Sequence, residues 1–466
     1  MALQPSNSLT AFPTALQAAL QTNMLDREFE EGLDSILAYR VCAEMEMVNA
    51  RIGDTITRTR KGRAIPVPFS LSPSSINANI DNTLTPQSFA LEQYTLTLAN
   101  YAASADVNLV QELAGIADQM IAYSRNNGVQ AAQTLERLAK LYLFAAYCGG
   151  NTVVTTSGGA STTTTAHVND IRGFQTVLVN GVVTPISSAN PLLVYEYADS
   201  PSGLGINQVL TVTAATADAT NVSTFPGVIA GKSDGISGTL TFNTSGAPIN
   251  GDSLIAVNAP TIYRPGGKQN TSLLTAGDVL TLSLILDAVA DMRNNAVPPL
   301  DDGAYRCVLD NSSMRALFSD QDFKVLFAGR DMAQEYQSAD IVSLLGVKFI
   351  PTTEAYVQRA TPAAGVNVTV RRPIIVGAEA LIQGNFEGLD MWLNRDGFEP
   401  IGKVMLVNDV AQIVRPPLDR LQQVVSMSWT WIGGFAVPTD ITATTDIIPT
   451  ASNALYKRAA VIEHAG

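Results

Sequence analysis

Residues equipped for chemistry are scarce. Two histidines, His167 and His464, and three cysteines, Cys42, Cys148 and Cys307, are the whole stock of imidazole and thiol in 466 residues. The cysteines are isolated and odd in number, without CxxC spacing. That disfavours a disulfide framework or a zinc knuckle and fits a reducing compartment. Gly231-Lys232-Ser233-Asp234-Gly235 has the letters of a nucleophile elbow. An elbow needs a strand before its serine and a helix after it, to hold the hydroxyl at a strained turn. Here ISGTLTFNT follows and reads as a strand, and the sole downstream histidine is His464. A glycine-rich β-turn is the expectation. The overlapping PGVIAGKS places three residues between Gly227 and Gly231, where a phosphate loop needs four. Asp301-Asp302 follows two prolines with no third ligand in sight and reads as a solvated pair. His167 lies among threonines and is expected to be exposed. Trp429 and Trp431, at i and i+2 in strand-like sequence, suit a core or an interface. No catalytic, cofactor or metal site is expected, and the chain is not expected to be an enzyme.

Composition points the same way. Apolar types make up 46% and charged types only 15%, against roughly 25% in an average soluble chain. Disorder would need the opposite balance. The shortage of charge suggests that much of the surface is covered by something other than water. The net charge is −13, without the basic footprint of a dedicated nucleic-acid binder. There is no apolar run long enough to span a membrane, and the N-terminal stretch lacks the basic n-region of a signal peptide.

Several elements must carry these residues. A polar arm leads to MLDREFEEGLDSILAYRVCAEMEM, where Leu25, Phe29, Leu33, Ile36 and Leu37 recur at helical spacing. In 51–100, two alternating stretches flank a polar, proline-rich tip. Tyr94, Leu96 and Leu98 share one face and Thr95 and Thr97 the other. This reads as an extended hairpin whose tip has no core of its own. The stretch 106–148 returns to helix, with Val107, Leu109, Val110, Leu113, Ile116, Met120, Leu135, Leu138 and Tyr142 on an apolar stripe, a break or kink at Asn126-Asn127-Gly128, and a stop at Gly149-Gly150.

Residues 151–270 change composition, to Thr, Ser, Gly, Asn and Val with only ten charged residues. FQTVLVNGVV, PLLVYEY, NQVLTVTAAT, GTLTFNT and SLIAVNA read as short strands between turns, hence a small all-β unit. From Leu273 a helix is expected, with Thr275 and Asp278 as a capping-box-like start, a stripe of Val279, Leu282, Ile285, Leu286, Val289 and Met292, and an end at Pro298-Pro299. AYRCVLD then reads as a strand, NSSMRALF as a capped short helix, GVKFIPTTEAYV and RRPIIVGAEALI as strands, and QQVVSMSWTWIGGFAVP as a strand pair or bent strand. The class is α+β, without a regular βαβ rhythm.

This order of parts resembles the major capsid protein of tailed bacteriophages, the Hong Kong 97-type capsid fold. SADIVSLLGVKFIPTTEAYV resembles that family's passage into a strand of its axial domain. RRPIIVGAEAL with PLDRLQQVVSMSWTWIGGFAVP resembles its last strands. The resemblance spans 25–150 and 273–455. It implies an N-terminal arm and helix at 1–50, an extended loop at 51–100 and a peripheral-domain spine helix at 101–150. Residues 271–370 would be the axial domain, and 371–466 axial and peripheral strands with a C-terminal tail. The all-β unit at 151–270 would be an inserted domain. The stretch ahead of the first helix is too short for a fused scaffolding domain. Some relatives cross-link through a lysine on the extended loop. One lysine there, Lys61, is too little to carry that expectation.

The implied function is a head shell built of hexamers and pentamers of this chain around double-stranded DNA, without sequence-specific contact. A separate scaffolding protein, a portal and an optional decoration protein are the implied partners. Assembly would occur in the host bacterial cytoplasm and the product would be the virion capsid. Acidic net charge suits such a container, since many phosphate contacts on the inner wall would hinder packaging and release. The basic cluster Arg58, Arg60, Lys61 and Arg63 on the loop and the acidic set Asp26, Glu28, Glu30, Glu31 and Asp34 on the first helix are the expected inter-subunit pair, against the alternative of solvated faces. Competing classes are an encapsulin-like protein shell, a tail or adhesin component built on the β unit, and a hydrolase using Ser233. DNA content of purified shells, the two strong helical segments, and Ser233→Ala respectively separate these from the capsid expectation.

Overall fold

Apolar residues one turn apart make the first described element a helix: α1 (Met24–Asp34) buries Leu25, Phe29 and Leu33 along one face. The computed structural model describes residues 24–34, 38–49, 55–61, 91–108, 116–155, 161–179, 182–198, 205–219, 235–243, 248–257, 259–295, 297–328, 343–344, 346–360, 368–387, 403–417, 420–421, 423–438 and 458–465. Ile36 and Leu37 lie outside these. Beyond a single 3-10 turn at Arg40–Cys42, the chain is not helical but forms strand β1 (Glu44–Asn49). EMEMVN alternates, and a distant parallel partner decides its state, overriding the helical expectation.

The hairpin strands β2 (Thr55–Lys61) and β3 (Leu91–Thr97) pair antiparallel, from Thr55 opposite Thr97 to Lys61 opposite Leu91. Leu96 and Leu98 are buried and Thr95 and Thr97 exposed, as the alternation predicts. The chain continues into β4 (Ala99–Asn108), so Val107 belongs to a strand rather than to the helix expected from 106. Its partner lies more than 300 residues later, at 424–433, which local patterning cannot reveal. The spine helix α2 (Ile116–Tyr147) then runs unbroken through Asn126-Asn127-Gly128. Gly128 serves close approach instead. A Cβ there would meet the Phe29 carbonyl at 2.4 Å, and one on Gly32 would meet the Arg125 carbonyl at 2.5 Å, so α1 and α2 cross glycine against glycine.

After the Gly149-Gly150 stop come, among the described residues, eight strands: β5 (Asn151–Val153), β6 (Thr165–Val168), β7 (Thr176–Val179), β8 (Val182–Pro185), β9 (Leu192–Tyr197), β10 (Gln208–Ala217), β11 (Gly238–Phe242) and β12 (Ser253–Ala256). Six of them form one antiparallel sheet in the order β5-β12-β9-β10-β11-β6, and β7 and β8 make a separate hairpin. PLLVYEY, NQVLTVTAAT, GTLTFNT and SLIAVNA are strands β9 to β12 as read, whereas FQTVLVNGVV, read as one strand, runs through the two paired strands β7 and β8; β5 and β6 are additional. One face of the sheet buries Val194, Leu210, Val212, Leu240 and Leu254 with Ile171 and Phe174, while Leu193 and Val209 on the other are about half exposed.

The last part interleaves helices and strands: β13 (Ile262–Tyr263), α3 (Leu282–Asn294), β14 (Tyr305–Leu309), α4 (Asn311–Ser319), α5 (Gln321–Ala328), β15 (Ser343–Leu344), β16 (Val347–Pro351), β17 (Val357–Ala360), β18 (Val368–Arg371), β19 (Ile374–Val376), β20 (Ile382–Glu387), β21 (Lys403–Val407), β22 (Val410–Arg415), β23 (Val424–Ala436), β24 (Ala459–Ile462) and β25 (His464–Ala465). The helix expected from Leu273 begins only at Leu282. Thr275 N and Oγ1 do donate to Asp278 Oδ2, at 2.5 and 2.7 Å, but in a turn ahead of it. Asp278 is also tied to Lys268, and its carbonyl accepts from Ala465 N, so it is committed elsewhere. Asp320 accepts from Leu282 N at 2.7 Å in its place. Val279 and Leu286 are correspondingly exposed, while Leu282, Ile285, Val289 and Met292 are buried. Asp310 caps α4 by accepting from Ser312 N and Ser313 N, both at 3.2 Å.

Three sheets are built from this part and the N-terminal strands. One has the order β1-β20-β23-β22-β21, with β4 also on the single long strand β23. The second runs β13-β24-β19-β14-β16-β15, and the third is β17-β18-β25. The spine helix lies on the first and second: Leu135, Leu143 and Phe144 of α2 join Trp429, Trp431 and Phe435 of the first sheet and Ile374, Val376 and Val461 of the second in one core, with Tyr356 beside them. A second core, around Ile285, Cys307, Leu317 and Phe349, fills the space under α3 and α4. The α+β class read from sequence is the class observed.

Candidate assembly surface and buried ionic junction

Charge in this chain is rare, so where each charge sits is informative. Arg58 on β2 forms an ion pair with Glu46 on β1 of the same chain. Arg60 and Lys61 follow it in β2, with Glu92 and Leu91 opposite in register. Arg63 lies outside the described residues. The acidic set all lies on α1. Glu31 pairs with Arg125 of the spine helix at 3.1 Å, with both side chains more than half exposed. Asn408 Nδ2 donates to Asp34 Oδ1 at 3.1 Å. Some expected inter-subunit charges thus have partners within their own chain, and the described residues do not bring the basic and acidic clusters together.

The hairpin stands beside an unusual edge. β1 is the end strand of its sheet, and its Met45 and Met47 are 57% and 56% exposed. A groove of about 330 Å³ opens there between Glu44, Met45, Glu46, Tyr94, Glu379, Ile382 and Pro438. Burial, then repulsion from Glu379, Asp301 and Glu46, pushes the Glu44 carboxyl up. Exposed methionines on an unpaired edge are what a partner strand or side chain would cover.

Six buried polar and charged side chains, Asp170, Arg172, Arg264, Gln358, Arg372 and Glu463, are joined with Tyr356 in one continuous junction. Arg172 donates through Nε to Asp170 Oδ1 at 2.9 Å and through Nη2 to Asp170 Oδ2 at 2.5 Å. The Tyr356 hydroxyl donates to Asp170 at 2.9 Å and accepts from Arg172 Nη2 and Gln358 Nε2, each at 2.9 Å. Arg372 donates to Gln358 Oε1 at 2.5 Å and to Glu463 Oε1 at 2.9 Å. Glu463 also accepts from Arg264 Nε at 2.5 Å and from Thr271 Oγ1 at 2.9 Å. The Tyr356 ring stacks on Phe144 at 4.6 Å and carries the Arg372 guanidinium 4.9 Å from its centroid. Burial works to raise Glu463, but Arg264 and Arg372 overrule it and bring the carboxyl down to about 2. Burial likewise opposes ionisation of Asp170, and Arg172 beside it holds it below the ordinary value. Tyr356 is pushed well above its usual value by burial and by Asp170. These groups come from the root of the β unit, the third sheet and the 459–465 segment, and they fix those pieces to one another.

A second buried carboxylate does local work. Glu136 of α2 accepts backbone N–H bonds from Ala38, Tyr39 and Arg40 at 3.1, 2.7 and 3.1 Å. That satisfies the turn entering β1. Burial is the main influence on its carboxyl and raises it.

Among the described residues, those singled out for chemistry have partners within the fold. His167 is on β6 and 4% exposed, not exposed among threonines as expected; its Nε2 is 2.7 Å from Asp218 Oδ2, which also accepts from Ser237 Oγ. A strand partner on β11 buries it. His464 Nε2 is 2.7 Å from Ser313 Oγ, and burial lowers its imidazole to about 4. The thiols of Cys42 and Cys148 are raised by burial to about 12 and 11, which removes thiolate reactivity at neutral pH. Asp302 is not merely solvated: it accepts from Lys348 Nζ at 2.9 Å and pairs with Arg306. No group of three or more possible metal ligands occurs among the described residues. Trp429 and Trp431 lie in the core, Trp429 Nε1 donating to Gln130 at 3.1 Å and Trp431 stacking on Tyr101. Ser233 and Trp392 lie outside the described residues. Sequence reasoning missed Glu136, Asp170, Arg172, Glu463 and their partners. The one available signal was charge in otherwise apolar strand-like stretches, as in AAVIEHA.

No protein-family model matches the sequence, and no curated protein matches it. Among solved structures, the capsid of Ralstonia phage GP4 aligns over 91% of this chain and 87% of its own, at 11% identity and a TM-score of 0.46. The capsid of cyanophage P-SCSP1u aligns over 91% and 87%, at 10% identity and a TM-score of 0.43. That of Helicobacter pylori bacteriophage KHP30 aligns over 91% and 88%, at 9% identity and a TM-score of 0.38.

Proposed function

We propose that this chain is a shell-forming major capsid protein of the tailed-bacteriophage type, working by self-association and without a catalytic step. The observation that carries this is the hairpin. β2 and β3 pair only with each other among the described residues, and Leu96 of β3 joins only Leu98 and Ala436 in a small buried apolar patch against the neighbouring sheet. An isolated two-stranded sheet is marginal in water, so a neighbouring subunit is its natural support. The order of hairpin, spine helix and late strand β23 returning beside β4 supports the same reading, as does the low charge of 15%. Shell closure asks one fold to occupy several slightly different environments, which favours broad, weakly charged contacts over a few rigid ion pairs.

In the finer form of the proposal, copies assemble as hexamers and pentamers on a separate scaffolding protein, with a portal, in the host cytoplasm, and enclose double-stranded DNA. The β unit of 151–270 projects outward and stabilises the shell. Basic residues of the loop meet acidic residues of a neighbour's first helix. Electron microscopy and light scattering of the protein expressed with its scaffold test the core claim: closed shells of uniform diameter are expected, and a persistent monomer would overturn it. Deleting 60–90 should leave soluble subunits or capsomers that cannot close.

A further inference from the structure

A short segment near the end of the chain is buried along its whole length. Residues 459–465, AAVIEHA, are each at most 1% exposed. They are reached through 439–457 from the end of β23, which belongs to a different sheet. β24 lies in the interior of its sheet, parallel to β13 with Ile262 opposite Val461, and antiparallel to β19 with Ile374 opposite Val461. One residue further on, β25 leaves that sheet and pairs with β18, Arg371 opposite His464. Side chains alternate between two cores: Ala459 and Val461 enter the one under the spine helix, Ala460 and Ile462 the one under α3.

On the β19 side, the site that receives this segment has a core of its own, whereas β13 pairs with β24 alone among the described residues. Leu282, Ile285, Val289, Cys307, Leu309, Leu317, Phe323 and Phe349 pack together without it, and only Ala460 and Ile462 are contributed from 459–465. What the walls lack without the segment is an acid. Arg264 and Arg372, both nearly fully buried, converge on Glu463 from the two sides. A one-residue slip would place Ile462 or His464 between the two guanidiniums and turn every alternate side chain to the wrong core.

We propose that the cleft between β13 and β19, with Arg264 and Arg372 at its end, is a strand-binding groove. Its ligand is an extended apolar peptide bearing one carboxylate at the sixth position, and its occupant is the 458–466 segment of this chain, which seats as a separable unit. Main-chain pairing on both sides supplies affinity, the alternating pockets supply specificity, and Glu463 sets the register. The groove does not depend on the shell reading; a protein that never assembled could still possess it.

The test uses a variant lacking residues 458–466 and a labelled synthetic peptide, RAAVIEHAG. Fluorescence anisotropy should show saturable one-to-one binding. The same peptide carrying Glu463→Gln should bind at least about 100-fold more weakly, since it leaves two buried guanidiniums without a counter-charge. If the shortened protein is insoluble, it is co-expressed with the segment fused to a soluble carrier; recovery with the wild-type segment and not with Glu463→Gln is the expected result. Failure of the wild-type peptide to bind or to rescue overturns the proposal. So does equal performance of both peptides, or a shortened protein whose melting temperature and hydrogen exchange at 374–376 are unchanged.

Discussion

The hairpin base and the buried junction spend the same scarce resource, charge, in opposite ways. At the hairpin, Arg58 meets Glu46 with its side chain 43% exposed, and at the spine helix Arg125 meets Glu31 in the open. Water competes for such pairs and salt screens them, so they set orientation more than stability. In the junction, Glu463, Arg264 and Arg372 are out of water, and each lies far from the others in sequence. Moving these groups out of water costs several kcal/mol per ion, and only complete pairing offsets it. The difference teaches that the buried charges act as an all-or-none device. They hold separate parts of the chain together when every partner is present and penalise any arrangement in which one is missing.

Removing the central acid should break that device. Glu463→Ala is expected to lower stability by about 3–5 kcal/mol, because it strands two buried guanidiniums. Urea unfolding of unassembled subunits measures this, and a loss no larger than that of a surface pair would erase the contrast between the two regions.

Acid should separate the regions next. The folded value of His464, about 4, lies below its ordinary 6.5, so the unfolded chain takes up the proton first. Its contribution is complete above the unfolded value and is lost as pH falls toward the folded one, roughly 3 kcal/mol in all. Glu463, about 2 when folded against 4.5 ordinarily, adds a second decline at lower pH. Stability followed from neutral pH downward should therefore fall in two stages, with the lower stage reduced in Glu463→Gln and its remainder carried by carboxylates such as Asp170.

A smaller effect is expected from Tyr356→Phe. The ring keeps its stack on Phe144, but Asp170, Arg172 and Gln358 each lose a hydrogen-bond partner. The expected loss is about 1–3 kcal/mol, sharpened by a double-mutant cycle with Asp170→Asn that should show strong coupling. The smallest belongs to the hairpin. Arg58→Ala should change subunit stability by about 0–1 kcal/mol. Any defect it causes should appear instead in assembly yield and in its salt dependence.

Much of the local structure was written in short-range pattern. Alternation marked β3 and most strands of the β unit, the apolar stripe marked the spine helix, and NSSMRALF read as a capped short helix. These depend on neighbours a few residues away, so the sequence carries them. Partners hundreds of residues apart decided the rest. β1 became a strand because β20 lies beside it, and Val107 joined β4 because β23 pairs with it. Gly128 looked like a helix break and is a contact point for α1. His167 looked exposed until β11 covered it. Asp170, Arg172 and Glu463 look like ordinary charges in the chain; only folding brings them to the groups that make their burial tolerable. The sequence by itself determined the elements that rest on local patterning, how few reactive groups there are, and that charge is scarce. Which charges are buried and which distant strands complete each sheet was settled by tertiary structure, because the free energy of a buried charge or an unpaired strand edge depends on its neighbours in space.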